Sequence, residues 1–277
     1  MKISKISKRN GKFRTIYIPN KQEAFTLKTL KRKLDWLYLK LGIPESVHGF
    51  VYGRNAVTNA SKHINLNYTI CMDLEDFFDN IRADHLKDVP EKILAYTLVN
   101  GAPRQGLCTS PTLSNIAMIE FDRWAETLDC VYTRYADDIT ISGNNLEELR
   151  RIKDELEQKL GEMGFRLNNK TKLQSSKGGR RIITGLSVDK DVRRTRKIAR
   201  KLRAALHQKN EESARGLKEW ERCPIPMDCN WVPYGTIDNP AIVIEYKGFR
   251  SGKRGLTRTF KGSRAVFTKY INKKMLG

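Results

Sequence analysis

One stretch constrains this chain more than any other. Residues 131–142, VYTRYADDITIS, place two adjacent aspartates between two β-rich arms, at the point where a hairpin must turn. Val, Tyr, Thr and Ile suit a pleated, half-buried surface, so each arm reads as a strand. Neither aspartate is needed to make the turn, and side by side they repel. A divalent cation would offset that repulsion, and Mg²⁺ prefers carboxylate oxygens in octahedral geometry. Ordinary turn aspartates are the alternative, because Asp is common in turns. A third carboxylate, Asp73, ends an apolar strand read over 68–74. If the strands are neighbours, Asp73, Asp137 and Asp138 meet at one sheet edge, where three carboxylates suffice for two ions and in-line phosphoryl transfer.

Charge narrows the partner. The 277 residues carry 52 Lys and Arg against 31 Asp and Glu, a formal charge of +21, with 39% hydrophobic residues. That is too apolar for a disordered polycation, and a polyanion, most often nucleic acid, is the default partner. The excess is uneven. Residues 190–277 hold 22 Lys and Arg against 8 Asp and Glu, a net of +14, leaving +7 for a body that carries most of the carboxylates. No apolar run approaches the length of a transmembrane helix, so no membrane role is expected. The first residues, MKISKISKRNGKFR, have no apolar signal core. Five scattered cysteines without a CxxC read as reduced thiols of a cytoplasmic protein, not as a disulfide frame or zinc site.

The remaining pattern mixes strands and helices. Strands are read over 12–19, 164–167 and 181–188, and helices over 24–41, 111–124 and 146–163. Ser110 followed by Pro111 reads as an N-cap and first helical residue, and Asn145 with Glu148 as a capping box. A basic amphipathic helix is read over 192–208, an ordered Pro- and aromatic-rich loop over 223–240, and a strand over 241–246. The basic stretch 247–261, with Phe249 and Phe260, has the charge-plus-aromatic mixture of RNA contact. These elements imply an α+β layer, a sheet backed by helices on one face.

Several motifs, in order, resemble the reverse transcriptases, specifically the bacterial retron type, within the group II intron-like superfamily. Asp73-Leu74-Glu75-Asp76-Phe77-Phe78 is similar to the first catalytic motif, Gln105-Gly106-Leu107-Cys108-Thr109-Ser110-Pro111 to the QGxxxSP loop, and Tyr135-Ala136-Asp137-Asp138 to the YxDD box. Gly164-Phe165-Arg166-Leu167-Asn168 with Lys170-Thr171 resembles the next motif. Asn59-Ala60-Ser61-Lys62-His63 matches NAxxH, and Ile183-Thr184-Gly185 is similar to the VTG signature with Ile for Val. The resemblance spans residues 12–207 and fades beyond 210.

The resemblance implies a right-hand polymerase with fingers (1–65), a ferredoxin-like palm (66–189), and a basic thumb with a C-terminal RNA-contacting extension (190–277). It implies an RNA-directed DNA polymerase, a nucleotidyltransferase that copies a cognate structured non-coding RNA into single-stranded DNA. Priming would be from a 2′-hydroxyl, in antiphage defence, with a separate effector protein as partner. Asp73, Asp137 and Asp138, with the Leu74 carbonyl, would hold two Mg²⁺ ions. Lys12, Arg14, Gln105, Gly106 and Lys170 would meet the dNTP, with Lys172 competing for the place of Lys170. Phe78 would exclude a 2′-hydroxyl. Because successive strand residues face opposite ways, one ring of Phe77 and Phe78 is expected in the core. Asn59 and His63, four apart, share a face if helical; RNA recognition and packing are both open to them. Arg193, Arg194, Arg196, Lys197, Arg200 and Arg203 would grip the RNA and the RNA–DNA hybrid through phosphates. Rivals are a group II intron enzyme, another defence reverse transcriptase, and an RNA-binding scaffold that restrains a toxin.

Overall fold

The computed structural model describes residues 1–7, 11, 13–169, 171–222 and 229–246. In chain order, a hairpin of β1 (Lys2–Ser7) and β2 (Phe13–Ile18) precedes α1 (Lys21–Leu41) and α2 (Ala56–Ser61). Then come β3 (Tyr68–Asp73), α3 (Phe77–Asn80), a 3₁₀ turn, α4 (Glu91–Thr97), α5 (Ser110–Ala117) and α6 (Ile119–Ala125). The hairpin β4 (Val131–Tyr135) and β5 (Asp138–Gly143) leads to α7 (Leu146–Glu162) and β6 (Lys172–Ser175). Three short strands, β7 (Arg181–Ile183), β8 (Leu186–Val188) and β9 (Val192–Arg194), precede α8 (Arg196–His207) and α9 (Glu211–Arg222). A last hairpin pairs β10 (Cys229–Gly235) with β11 (Pro240–Tyr246).

The central sheet has the order β4-β5-β3-β6, with every neighbouring pair antiparallel. This is the order of a split β-α-β-β-α-β unit. Side chains alternate across a strand, so Ile70, Met72, Tyr132, Ile139 and Ile141 enter one apolar core. Leu34 and Tyr38 of α1, Leu113 and Ile116 of α5, Phe121 of α6, and Leu149, Ile152, Leu156 and Leu160 of α7 cover it. The α1 helix starts at a full capping box, Asn20 and Glu23 each accepting the other's backbone amide.

The expected layer of helices on one face is incomplete, because the second face is covered too. There Ala56, Val57 and Ala60 of α2 pack with Ile183, Leu186 and Val188 of the small sheet, against Cys71 and Tyr135. This face is polar but sealed. His63 Nδ1 lies 2.8 Å from Ser142 Oγ and its Nε2 lies 2.7 Å from Thr133 Oγ1. Arg181 Nη1 donates to Thr69 Oγ1 (2.9 Å) and Nη2 to the His63 carbonyl (2.8 Å). Buried polar groups are tolerated when hydrogen-bonded in this way.

Other local readings are corrected. Residues 164–167 form no strand, only a bridge between Leu74 and Leu167, because the chain there leaves α7 through Gly164 (φ 80°). Residues 181–188 fold as two strands about a tight turn, Thr184 and Gly185 both having positive φ. The helix read over 111–124 breaks at Met118 into α5 and α6. Thr109, not Ser110, stands at the N-cap; the Ser110 hydroxyl donates to the Arg104 carbonyl (2.7 Å). Asn145 does cap α7, but Glu148 pairs with Arg151 instead of closing a box. The basic helix begins at Arg196, with Thr195 as its cap, and residues 192–194 are a strand. Residues 229–235, read as loop, pair as β10. Among the described residues no helix is long and apolar enough to cross a membrane.

The sealed polar face titrates. Burial, then the charge of Arg181, pushes His63 down to a pKa of about 3, and burial, Arg54 and Lys62 push His48 down to about 3. Unfolding returns each to about 6.5, so below that pH the unfolded chain binds more protons than the folded one. Their stabilising contribution is whole above pH 6.5 or so and is lost as pH falls toward the folded value. The thermal midpoint is expected to drop between about pH 7 and pH 4.5, and a His63→Gln variant to show a shallower drop. An unchanged slope would move the effect to other groups.

Candidate active site

The site is assembled by strand register. Asp73, the last residue of β3, pairs directly with Asp138, the first of β5, and Tyr135 pairs with Asp138 across the hairpin. Register partners share a face, so Asp73 and Asp138 project to the same side at the same sheet end. Asp137 occupies the two-residue turn between β4 and β5. Its neighbour Ala136 has φ 61°, a left-handed conformation rare for a residue with a side chain. The Asp137 carbonyl accepts the Leu74 amide (3.0 Å), which ties this turn to the end of β3. Asp138 is open to solvent, yet the protein around it desolvates it in part. That desolvation, then repulsion from Asp137 and from Asp73, raises its pKa to about 6 against the opposing pull of Lys172. The three carboxylates therefore sense one another.

Mutual repulsion of this kind is what a divalent cation relieves, and an all-carboxylate donor set suits Mg²⁺. Among the described residues no three His, Cys, Asp or Glu side chains already stand in a closed metal-binding arrangement. Asn168 lies at the same place, its amide donating to the Asp73 carbonyl (2.7 Å) and its Nδ2 to Asp73 Oδ2 (3.3 Å). Lys172 of β6 pairs with Cys71 of β3, two residues from Asp73 and on its face. Lys170 and Lys12 lie outside the described residues.

The Gln105–Gly106 loop docks on β2. The Gln105 carbonyl accepts the Tyr17 amide (2.8 Å). Gly106 has φ 102°, and a Cβ there would lie 2.3 Å from the Tyr17 carbonyl oxygen. Arg104 braces the loop, its Nε donating to the Val99 carbonyl (2.8 Å) while its guanidinium pairs with Asp79 and stands over the Tyr17 ring. Arg14 is exposed on the same strand as Tyr17. Phe77 is buried and Phe78 half-buried as expected, but they open the single-turn helix α3 rather than alternating along a strand.

Two residues to which the sequence leaves RNA recognition and packing both open are buried, on the face of the central sheet that also carries Asp73 and Asp138. Asn59 is 1% exposed and His63 0%, so neither can touch RNA as folded. His63 also lies beyond the end of α2 and not on its face. His63 is taken up by the hydrogen-bonded network between α2 and the central sheet, while Asn59 is packed on the buried side of α2. The basic residues separate into groups. Arg194, Arg196 and Lys197 line a pocket of about 1120 Å³ together with Arg180, Thr184 and Lys201. Arg193 instead pairs with Asp191 (2.5 Å), and Arg200 and Arg203 are exposed elsewhere on α8. Sequence reasoning placed Asn168 in a motif without giving it a role, and passed over Arg104 and Arg180, which do not stand out where Arg is frequent.

Comparison with known proteins agrees with this geometry. A family model described as "Reverse transcriptase (RNA-dependent DNA polymerase)" matches residues 6–183. The Retron Mx65 reverse transcriptase of Myxococcus xanthus is 29% identical over 236 residues, covering 73% of this chain and 54% of that protein. The Retron Ec86 reverse transcriptase of Escherichia coli is 28% identical over 220 residues, covering 71% and 65%. The chain thus spans about half to two thirds of the length of these relatives. In fold it is similar to telomerase from Candida albicans in complex with a TWJ fragment of telomeric RNA, with a TM-score of 0.53, 14% identity, and coverage of 70% of this chain and 46% of that one. Apo telomerase from Candida tropicalis gives 0.50 at 17% identity, covering 70% and 48%. At such identities these likenesses speak for the mixed α+β fold alone.

The Gly106 geometry is directly testable. A Gly106→Ala variant forces a left-handed alanine against the backbone of β2, and is expected to lose about 1–3 kcal/mol of stability by overpacking. Faster hydrogen exchange at the Tyr17 amide would accompany it. Unchanged exchange there would mean that the loop does not dock on β2.

Proposed function

Because the chain belongs to the reverse transcriptase (RNA-dependent DNA polymerase) family and to its bacterial retron type, we propose that it copies a structured non-coding RNA into single-stranded DNA. The observation that carries this reading is the Asp73–Asp138 register pair with Asp137 on the adjoining turn. In this reading residues 1–65 are fingers, 66–189 palm and 190–277 thumb with its extension.

Asp73, Asp137 and Asp138, with the Leu74 carbonyl, hold the metal. Two Mg²⁺ ions held there would supply activation of the primer hydroxyl and neutralisation of charge on the nucleotide phosphates and departing pyrophosphate. The chain's own residues do the positioning. Asn168 orients Asp73 through its 3.3 Å bond. Lys170, or in its place Lys172, whose charge acts on Asp138, supplies the proton to pyrophosphate. Arg14 on β2 grips the triphosphate, and Gln105 with Gly106 presents flexible backbone to the nascent base pair. Phe78, half-buried against Phe77 with ring centroids 5.7 Å apart, closes the space that a 2′-hydroxyl would need.

The basic pocket between β7–β9 and α8 holds backbone phosphates of the RNA or the hybrid, a contact that is strong, salt-dependent and indifferent to sequence. Its cognate RNA is primed from an internal 2′-hydroxyl, and a separate effector protein completes a defence system in the cytoplasm.

The experiment is to isolate the protein from its host and identify the nucleic acid that comes with it. A branched RNA–DNA species is expected, and it should vanish in the Asp137→Asn, Asp138→Asn double variant while the fold persists. Recovery of RNA alone, with no extension of a primed template by purified protein and dNTPs, overturns the polymerase reading. A Phe78→Ala variant should incorporate ribonucleotides that the wild type rejects; retained discrimination would remove Phe78 from that role.

A further inference from the structure

Directly behind the aspartate-bearing turn, on the opposite face of the sheet from Asp73 and Asp138, lies a charged group with no obvious use. Arg134 of β4 is fully buried, as is Asp122 of α6. Its Nε donates to Asp122 Oδ1 (2.8 Å) and its Nη2 to Asp122 Oδ2 (2.7 Å). The Tyr132 hydroxyl adds a third donor to Asp122 (2.7 Å). Burial disfavours the charge, and Asp122 more than restores it. Such a pair is poor evidence of stabilisation, since well-packed apolar residues commonly do as well in its place. Its geometry suggests a different purpose.

The fork leaves one nitrogen over. Arg134 Nη1 donates to the Ala136 carbonyl (3.0 Å) and to Asn115 Oδ1 (3.1 Å). Ala136 is the left-handed residue of the turn, a conformation disfavoured for a residue with a Cβ. The same turn is pressed from the side by Gly49, where a Cβ would lie 2.3 Å from the Ala136 nitrogen. Gly49 is itself held, its carbonyl accepting Asn115 Nδ2 (3.0 Å). The backbone on each side of Val47 is tied to Arg134, whose amide donates to the Ser46 carbonyl (3.0 Å) and whose carbonyl accepts the His48 amide (2.9 Å). With the Leu74 amide on the Asp137 carbonyl, both carbonyls of the turn are pinned, one by a side chain beneath the sheet and one by the end of the neighbouring strand.

We propose that Arg134 is a positioning residue, which, with Asn115, holds the Ala136–Asp137 peptide where Asp137 and Asp138 can share a divalent cation with Asp73. Asn115 stands on α5, the helix that follows the Gln105–Gly106 loop, so its side chain links that helix to the Gly49 backbone and, through Arg134, to the turn. Arginine is required because only a planar fork can engage both Asp122 oxygens and still direct a third nitrogen at Ala136. The inference rests on the polymerase reading for its consequence, but not for its geometry.

The test uses Arg134→Lys and Asn115→Ala, the second leaving the Arg134–Asp122 pair intact. Two readouts are needed: kcat and KM for dNTP in primer extension, and Mn²⁺ affinity by electron paramagnetic resonance without nucleotide. A small misplacement of reacting groups costs on the order of 100-fold in rate. Arg134→Lys is therefore expected to lower kcat by about that factor while KM changes by less than about threefold, and to weaken Mn²⁺ binding; Asn115→Ala should do both to a smaller degree. Wild-type Mn²⁺ affinity and kcat in Arg134→Lys, or in Asn115→Ala if the lysine variant does not fold, overturns the proposal. If the wild-type chain extends no primer, the polymerase reading falls, while Mn²⁺ titration still decides the role of Arg134.

Discussion

The register between β3 and β5 is the constraint on which everything at the site depends. Pairing of Asp73 with Asp138 follows from the pairing of Thr69 with Ser142, Ile70 with Ile141, Cys71 with Thr140 and Met72 with Ile139. A slip of one residue would turn every side chain of β3 to the other face, sending Asp73 into the helix-covered core and Ile70 into the polar layer. Both layers resist such a slip. Ile70, Met72, Ile139 and Ile141 are locked in the apolar core, and Thr69 and Ser142 are joined to each other and to His63 and Arg181. The buried polar face is thus a second, directional specification of the same register.

That arrangement explains why the sequence alone leaves RNA recognition and packing both open to Asn59 and His63. Two polar residues four apart in a short helical segment look available, and nothing local says that a second sheet will cover them. Their burial is decided by Ile183, Leu186 and Val188, more than a hundred residues away. The carboxylates were legible for the opposite reason: acidic residues at the ends of apolar strands violate the strand's own preferences, and such violations point to function. The α7 stripe of Leu149, Ile152, Leu156 and Leu160 was legible because it follows from local periodicity. The break at Met118 and the β10 strand were not, since each is set by what the chain packs against.

Charge is arranged to the same end. The site desolvates Asp138 in part and sets two more carboxylates beside it, which together raise its pKa, whereas Arg180, Arg194, Arg196, Lys197 and Lys201 converge on a separate pocket. Placing those cations beside the aspartates would satisfy the carboxylates with fixed ion pairs and leave nothing for a mobile divalent ion to neutralise. Among the described residues Lys172 is the cation whose influence on Asp138 registers, and it opposes the repulsion without removing it.

A single buried carboxylate links the two ends of the chain. Asp35 of α1 accepts Lys31 and the Tyr52 hydroxyl on one oxygen (2.5 and 2.7 Å) and the Thr112 hydroxyl on the other (2.6 Å). Thr112 stands in the first turn of α5, directly after the Gln105–Gly106 loop. The Tyr52 ring stacks on Trp231 of β10 at 4.5 Å, and Trp36, adjacent to Asp35, donates to the Tyr234 carbonyl (2.8 Å). An isolated two-stranded hairpin is marginal in water, so β10–β11 needs this docking to persist. Because Tyr52 serves both the stack and Asp35, displacing the hairpin would loosen a donor to the carboxylate that also anchors α5. The last described strands of the chain are in this way coupled to the helix that follows the Gln105–Gly106 loop.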